Sequence, residues 1–540
     1  MTSLPRRRVL LAWLAAFCVL FFLELPGSFL FEPDEARYAE IPREMLASGN
    51  WMVPRLNFVD YFEKPPLLYW ANAASFRLFG LNAYAARLPS RLATLGALLL
   101  ILLGLRRRLG DRVALASGLI FLSAPLVASL GRMNLTDGVL TFTMAVALVA
   151  LHEFLLARED GKSARSAAAL VGLGCGLSVL AKGLIGLVLP GAALLLWCAA
   201  ARRWRRVPEI LFSWAPAACL AVTVPYFWAV EKAAPGFSKF FWIHEHFLRY
   251  ATPEAARGGP AYYFVLTLFA GFLPWSFFLP RVFSRTSRAL RAGPEGLSEL
   301  WFASWTIVIL VFFSLSHSKL VPYVFPAAPA LAVLLARGLD SGPGPRRGLI
   351  AHAAFWTLAG IAGLAIGARS GEISRLGLTT LGLATAAVSA GLFWVAALVS
   401  RRNPERSIAV LPSGWAVIYL AVVLALPTVA AQQSAQTLAA AAGKAAGADA
   451  TVVAYRTYLQ GFPWVLRRRI PIYGWKGELE FGSGRGDQSQ DFLPRERFLK
   501  DWDSNRKIVV LLRKRDRNDM EGHRGSLVAE NRKYVVVKNF

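Results

Sequence analysis

Two short runs early in the chain carry the residue types that transfer chemistry needs. Glu32-Pro33-Asp34-Glu35-Ala36-Arg37-Tyr38 sets three carboxylates beside an arginine, and Tyr61-Phe62-Glu63-Lys64-Pro65-Pro66 sets a lysine against a double proline, followed by Tyr69 and Trp70. A carboxylate can orient an acceptor or take its proton, while Lys and Arg hold the charge that develops on a phosphate leaving group. Lys64 sits on a stiff backbone, which suits a point charge held toward phosphate. Helix capping accounts for Asp34 or Glu35 equally well, since a carboxylate at a helix N-terminus suits the dipole. The aromatic residues are ordinary interfacial belt residues first.

Other charged positions join these. Gly131-Arg132-Met133-Asn134-Leu135-Thr136-Asp137 places a carboxylate where a helix begins, and an N-cap alone would explain it. Lys182 and Lys319 stand at helix ends, and Trp242-Ile243-His244-Glu245-His246-Phe247-Leu248-Arg249-Tyr250 lies in a polar segment. Glu63 with His244 could hold zinc, although a His-x-His pair is weak evidence for a metal and surface histidines explain it as well.

The elements that must position these groups are set by composition. The 540 residues are 55% hydrophobic with a formal net charge of +26, and the mean hydropathy is +0.44. So much apolar surface belongs in a bilayer, where a helical span takes roughly 20 residues. About thirteen spans are read near 9–30, 88–105, 113–130, 137–157, 166–181, 183–201, 208–230, 262–280, 299–315, 320–337, 348–368, 376–399 and 408–428. Arginine-rich clusters fall in every second connection, from Arg6 to Arg8 through Arg401 to Arg406. Basic residues at span ends favour the cytoplasm, so the N-terminus is expected inside and the C-terminus outside. The first apolar run is read as a retained helix. All four cysteines lie in apolar runs, so no structural disulfide is expected.

Residues 1–429 are thus read as a membrane domain. Its two long outer loops are 31–87, with interfacial helices including one over 34–48, and 232–261. Residues 430–540 are read as a small outer α/β domain, helical near 430–447, with strands at 451–455, 507–512 and 534–538. Asp34, Glu63, Lys64, Asp137, Lys182 and Lys319 then share the outer level. No P-loop or Gly-rich dinucleotide turn is present, and no nucleic acid is expected. An outward-facing site has no cytosolic nucleotide sugar to draw on, so its donor should arrive on a lipid.

The sequence resembles the bacterial members of the dolichyl-phosphate-mannose protein mannosyltransferase superfamily, most closely the lipid A 4-amino-4-deoxy-L-arabinose transferases. The likeness rests on Glu32 to Ile41, Arg43 to Gly49, Tyr61 to Pro66 and Leu135-Thr136-Asp137, with His244 to Arg249 and Ser318 to Tyr323 similar to later family segments. The resemblance implies the GT-C type of membrane glycosyltransferase fold with a periplasmic C-terminal domain. It implies catalytic roles for Asp34 and Asp137, donor-phosphate contacts from Lys64 and Arg249, and cavity positions for Arg37, Glu35, Tyr61, Lys319 and Tyr323. Glu63 and His244 would be the metal pair, with zinc the candidate ion and no other cofactor required.

The expected activity is transfer of a sugar, 4-amino-4-deoxy-L-arabinose by the resemblance, from undecaprenyl phosphate to a periplasmic-face acceptor, lipid A phosphate foremost, in the bacterial inner membrane. Alternatives are transfer of a hexose or uronic acid to lipid or protein, a polyprenyl-lipid transporter, or a scaffold whose tail recruits partners. A transporter calls for charge spread through mid-membrane, whereas the polar groups here gather at one level.

Overall fold

The computed structural model describes residues 4–24, 28–248, 258–340, 345–367, 378–485 and 488–540. They form two compact units. The first consists of Met1–Glu24, Ser90–Glu231 and Gly236–Ala425, and its described regular structure is helical.

Helices that are apolar on all sides have no solvent face to offer and must be covered by protein or lipid. Thr136–Glu159 is such a helix, with 78% of its apolar window buried, whereas Leu381–Val399 has only 22% buried. Among the described residues, seven helices are long and apolar enough to cross a membrane. The pair Tyr263–Gly271 and Trp275–Ala289 makes an eighth if counted as one span.

That pair corrects the straight span expected over 262–280. It bends by 106°, and Pro274, which has no N–H to continue a helical ladder, stands between the two pieces. Other expected spans are helical but short or interrupted, as in Arg7–Phe22 and in Asp111–Ser123 followed by Pro125–Leu130. Buried polar pairs pin the helices laterally. His152 bonds Ser298 at 3.0 Å, and Glu299 accepts from Arg285 and Arg337, each at 2.7 Å.

The second unit gathers Leu25–Pro89, Lys232–Pro235 and Leu426–Phe540. Its C-terminal part is a six-stranded sheet. The strands are β3 (Thr451–Tyr455), β4 (Ile472–Tyr473), β5 (Phe492–Leu493), β6 (Ile508–Arg513), β7 (Ser526–Glu530) and β8 (Tyr534–Lys538). In the spatial order β5-β4-β3-β6-β8-β7, the strands β3 to β6 run parallel to one another, while β8 is antiparallel to β6 and to β7. β6 is buried over Ile508–Leu512, as a central strand covered on both faces should be. Val453, Val510 and Val537 are in register across the sheet and pack with Phe498 and Trp502.

Against this part lies the early loop. A hairpin of β1 (Arg55–Leu56) and β2 (Val59–Asp60) turns through Asn57 and Phe58, both with positive φ, 54° and 59°. A two-residue hairpin turn of this hand asks for left-handed backbone at both positions, which Asn tolerates and Phe does not favour. Tertiary contacts hold it. The Phe58 N–H donates to Glu44 at 2.7 Å, the Arg43 and Arg469 guanidiniums lie 5.5 and 5.4 Å from the Phe58 ring centre, and the Asn57 amide exchanges two 2.9 Å hydrogen bonds with the Ile470 backbone.

The helix expected over 34–48 forms at Asp34–Ser48, but it is not half-open to lipid. Every residue from Glu35 to Met45 is buried. The charged positions make this possible by finding internal partners, with Arg43 forked onto Glu40 at 2.7 and 2.6 Å.

Candidate active site

In the second unit the site grows from the first turn of the Asp34–Ser48 helix. Arg37, one turn after Asp34, donates to the Asp34 carboxylate at 3.0 Å and reaches Glu478 at 2.6 Å with its other terminal nitrogen. Glu478 in turn accepts from the Gln460 side-chain amide. The Arg37 side chain is 11% exposed and that of Glu478 15%, whereas Asp34 is 43% exposed. Asp34 is therefore the open end of an otherwise enclosed charge relay.

Tyr61, 2% exposed, and half-buried Glu63 lie within electrostatic reach of Arg37. Burial pushes the Tyr61 phenol well above its ordinary range, with Arg37 opposing and Glu63 adding to the rise. Burial also raises Glu478, partly offset by Arg37. Lys64 is half-buried and donates to the Glu63 backbone carbonyl at 2.8 Å.

Buried polar atoms nearly always have partners. Here the Tyr61 hydroxyl, Arg37 Nε, Glu32 Oε2, Gln460 Oε1 and the Tyr458 hydroxyl have none among the described residues. All five side chains lie within reach of Glu478 by hydrogen bond or charge. Such a set of unmet donors and acceptors around an ion pair is what a polar ligand would satisfy.

Glu35 is placed elsewhere. It is fully buried, accepts a two-point contact from Arg87 at 2.8 and 2.7 Å, and caps the Phe31 N–H at 3.0 Å. Its geometry ties the loop to the helix that follows.

In the first unit Asp137 occupies the first turn of Thr136–Glu159 and accepts from Lys182, the last residue of Arg165–Lys182, at 2.5 Å. The Lys182 ammonium stands 5.0 Å from the Tyr323 ring centre, so Asp137, Lys182 and Tyr323 form one group. Lys319 does not join it. Its ammonium donates to the Phe313, Ser314 and Ser316 carbonyls at 3.1, 2.6 and 2.7 Å, capping the end of Gly293–Leu315.

Arg249 lies outside the described residues, as does the side chain of His244. Among the described residues no three His, Cys, Asp or Glu side chains converge as a metal cage, and no step below is routed through zinc.

The sequence reading did not find Glu478, Gln460 or Tyr458, and it named Glu32 only as one of the carboxylates that open the loop. Glu478 has one faint signal: Arg37, buried in a helix, needs more counter-charge than Asp34 supplies.

Residues 9–241 match the dolichyl-phosphate-mannose-protein mannosyltransferase family, and residues 438–539 match the aminoarabinose transferase C-terminal domain. Undecaprenyl phosphate-alpha-4-amino-4-deoxy-L-arabinose arabinosyl transferases are similar along much of the chain. That of Erwinia tasmaniensis is 32% identical over 88% of this chain and 88% of its own length. That of Enterobacter sp. is 36% identical, with the matched part covering 61% of this chain and 58% of the relative. The crystal structure of ArnT from Cupriavidus metallidurans bound to undecaprenyl phosphate superposes with a TM-score of 0.87 at 28% identity, over 98% of both chains. The archaeal oligosaccharyltransferase AglB from Archaeoglobus fulgidus, 13% identical with a TM-score of 0.51 over 94% of this chain and 70% of its own, shares the GT-C fold. On the strength of this full-length similarity, the chain belongs to the family of undecaprenyl phosphate-alpha-4-amino-4-deoxy-L-arabinose arabinosyl transferases.

Proposed function

We propose that this protein transfers 4-amino-4-deoxy-L-arabinose from undecaprenyl phosphate to a lipid A phosphate at the periplasmic face of the bacterial inner membrane. The observation that carries the reading is the Asp34–Arg37–Glu478 relay, ringed by unmet polar atoms and open at Asp34, in a chain of this family. An acceptor phosphate oxygen attacks the anomeric carbon, and the carbon–oxygen bond to undecaprenyl phosphate breaks with its electron pair going to the departing phosphate. The configuration at the sugar inverts. A phosphate acceptor is already ionised at neutral pH, so no proton need be removed.

In this scheme Asp34 orients the sugar or acceptor and offsets positive charge as the glycosidic bond opens, with Arg37 and Glu478 fixing its carboxylate. Lys64 and Arg249 take the charge of the donor phosphate, Tyr61 supplies a hydroxyl in the cavity, and Asp137 is the second acidic residue, held by Lys182. Residues 1–429 form the membrane domain with about thirteen crossings, and 430–540 form a periplasmic domain, with the N-terminus cytoplasmic.

Asp34→Asn tests the proposal, because it removes charge while keeping size. Purified variant and wild type are given synthetic donor and lipid A in detergent. Loss of a transition-state electrostatic contact costs about 10²-fold or more in rate, and the variant should lose at least that with its melting temperature unchanged. Turnover near that of the wild type would make Asp34 a helix cap.

A further inference from the structure

The first unit contains a cleft that the transfer chemistry does not use. It has a volume of about 1390 Å³ and is lined by Arg281, Arg288, Arg346, Arg347 and Arg401, with no acidic residue among its lining. The five arginines come from three separate stretches of chain: the Leu279–Ala289 helix, the first turn of Arg346–Gly367, and the turn after Leu378–Val399. Gly348 lets two of these meet, since a Cβ there would lie 2.6 Å from the Phe278 ring.

Like charges gathered without a carboxylate repel one another and are held together only at a cost. Arg285, on the Leu279–Ala289 helix, and Arg337 both turn onto the buried Glu299, whereas no carboxylate is among the residues that line the cleft. The rest of the lining is mostly apolar, with Phe269, Phe277, Phe278 and Phe283 beside three serines. Phe283 is 79% exposed, a cost in water and none in hydrocarbon. Arg281 lies 5.8 Å from the Phe278 ring centre, so rim and floor are continuous.

We infer that this cleft binds the phosphate headgroup of an anionic phospholipid, the arginines taking the phosphate oxygens and the phenylalanines the start of an acyl chain. Planar guanidiniums suit phosphate because each can hold two oxygens. Basic pockets between membrane helices, on the face where positive charge collects, are suited to lipids with more than one phosphate. A volume larger than the roughly 300–1,000 Å³ of a common small-ligand site leaves room for a headgroup carrying two. A soluble polyphosphate shares the phosphate chemistry but leaves the phenylalanine floor uncovered.

Native mass spectrometry of the full-length protein tests this, with cardiolipin and phosphatidylcholine offered together. Wild type should retain cardiolipin at least about tenfold over phosphatidylcholine. Arg346→Gln/Arg347→Gln/Arg401→Gln should lose about tenfold of that preference, while Arg107→Gln/Arg112→Gln, outside the cleft, should keep it. Ala351→Trp fills the cleft without changing charge and should displace the lipid too, so a misfolded triple variant cannot decide the matter alone. Equal retention by wild type, triple variant and Ala351→Trp would overturn the assignment. Retention of inorganic pyrophosphate with displacement of cardiolipin at equal concentration would overturn the lipid as ligand and leave a soluble polyphosphate in its place.

Discussion

Glu32 couples the candidate site to pH. Its Oε1 accepts from the Gly461 N–H at 2.9 Å while Oε2 is enclosed without a partner, and burial lifts the carboxyl from 4.5 to about 8. Below about pH 4.5 the acid is protonated in folded and unfolded chains alike. Between 4.5 and 8 the unfolded chain ionises while the folded chain holds its proton, so stability falls as pH rises through this window and levels off above 8. The loss is up to about 1.4 kcal/mol per pH unit. Glu32→Gln keeps an acceptor for Gly461 and removes the titration. Thermal unfolding at pH 5, 6.5 and 8 should show a smaller decline for the variant than for wild type, with the variant the more stable at pH 8. Parallel declines would mean that the carboxyl is hydrated. Arg37 offers a second test at this scale. Glu478→Gln frees one arm of its fork and should slow transfer about tenfold, and combining it with Asp34→Asn should cost less than the product of the two, since both act through one guanidinium. Strictly multiplicative losses would separate Glu478 from Asp34.

At the scale of elements, what could be read in advance was what local pattern controls. The strands expected at 451–455, 507–512 and 534–538 appear as β3, β6 and β8, because unbroken β-branched and aliphatic runs leave few alternatives. β4 and β5, two residues each, carry too little sequence to signal anything. The Asn57-Phe58 turn was hidden for another reason: its left-handed Phe is paid for by Glu44, Arg43 and Arg469, none of them neighbours in sequence. The site divides the same way. Asp34 and Arg37 stand a helical turn apart and declare themselves, whereas Glu478 and Gln460 are meaningful only once the tail has folded onto the loop. That docking is close enough to test. A Cβ on Gly482 would lie 2.2 Å from the Asp60 carbonyl oxygen and 3.0 Å from the Asp60 backbone nitrogen. Gly482→Ala should therefore cost about 1–3 kcal/mol, the usual penalty of overpacking, and lower the melting temperature. At Gly484 the nearest atom is 3.6 Å away, and Gly484→Ala should leave it unchanged. Equal melting of the two variants would show that the contact yields.

For the molecule as a whole, the proposed orientation makes a direct prediction. Arginine clusters at alternate connections put the C-terminus outside, so a fluorescent protein that matures only in the cytoplasm, fused after Phe540, should stay dark while the fusion is inserted. Bright fusions would place the tail inside and reverse the candidate site with it. The second unit also has a history written into its connectivity. Glu32 bonds Gly461 across 429 positions and Asn57 bonds Ile470 across 413, so the loop that carries Asp34 leaves the ribosome long before the segments that complete it. At about 5–20 residues per second, roughly 20–80 s separate the two. During that interval Arg37 lacks Glu478, Glu32 lacks the Gly461 N–H, and Phe58 lacks the Arg469 guanidinium. A nascent or truncated chain thus holds Asp34 and Arg37 without the support that fixes them, and the last hundred or so residues to be synthesised decide when the first loop becomes competent.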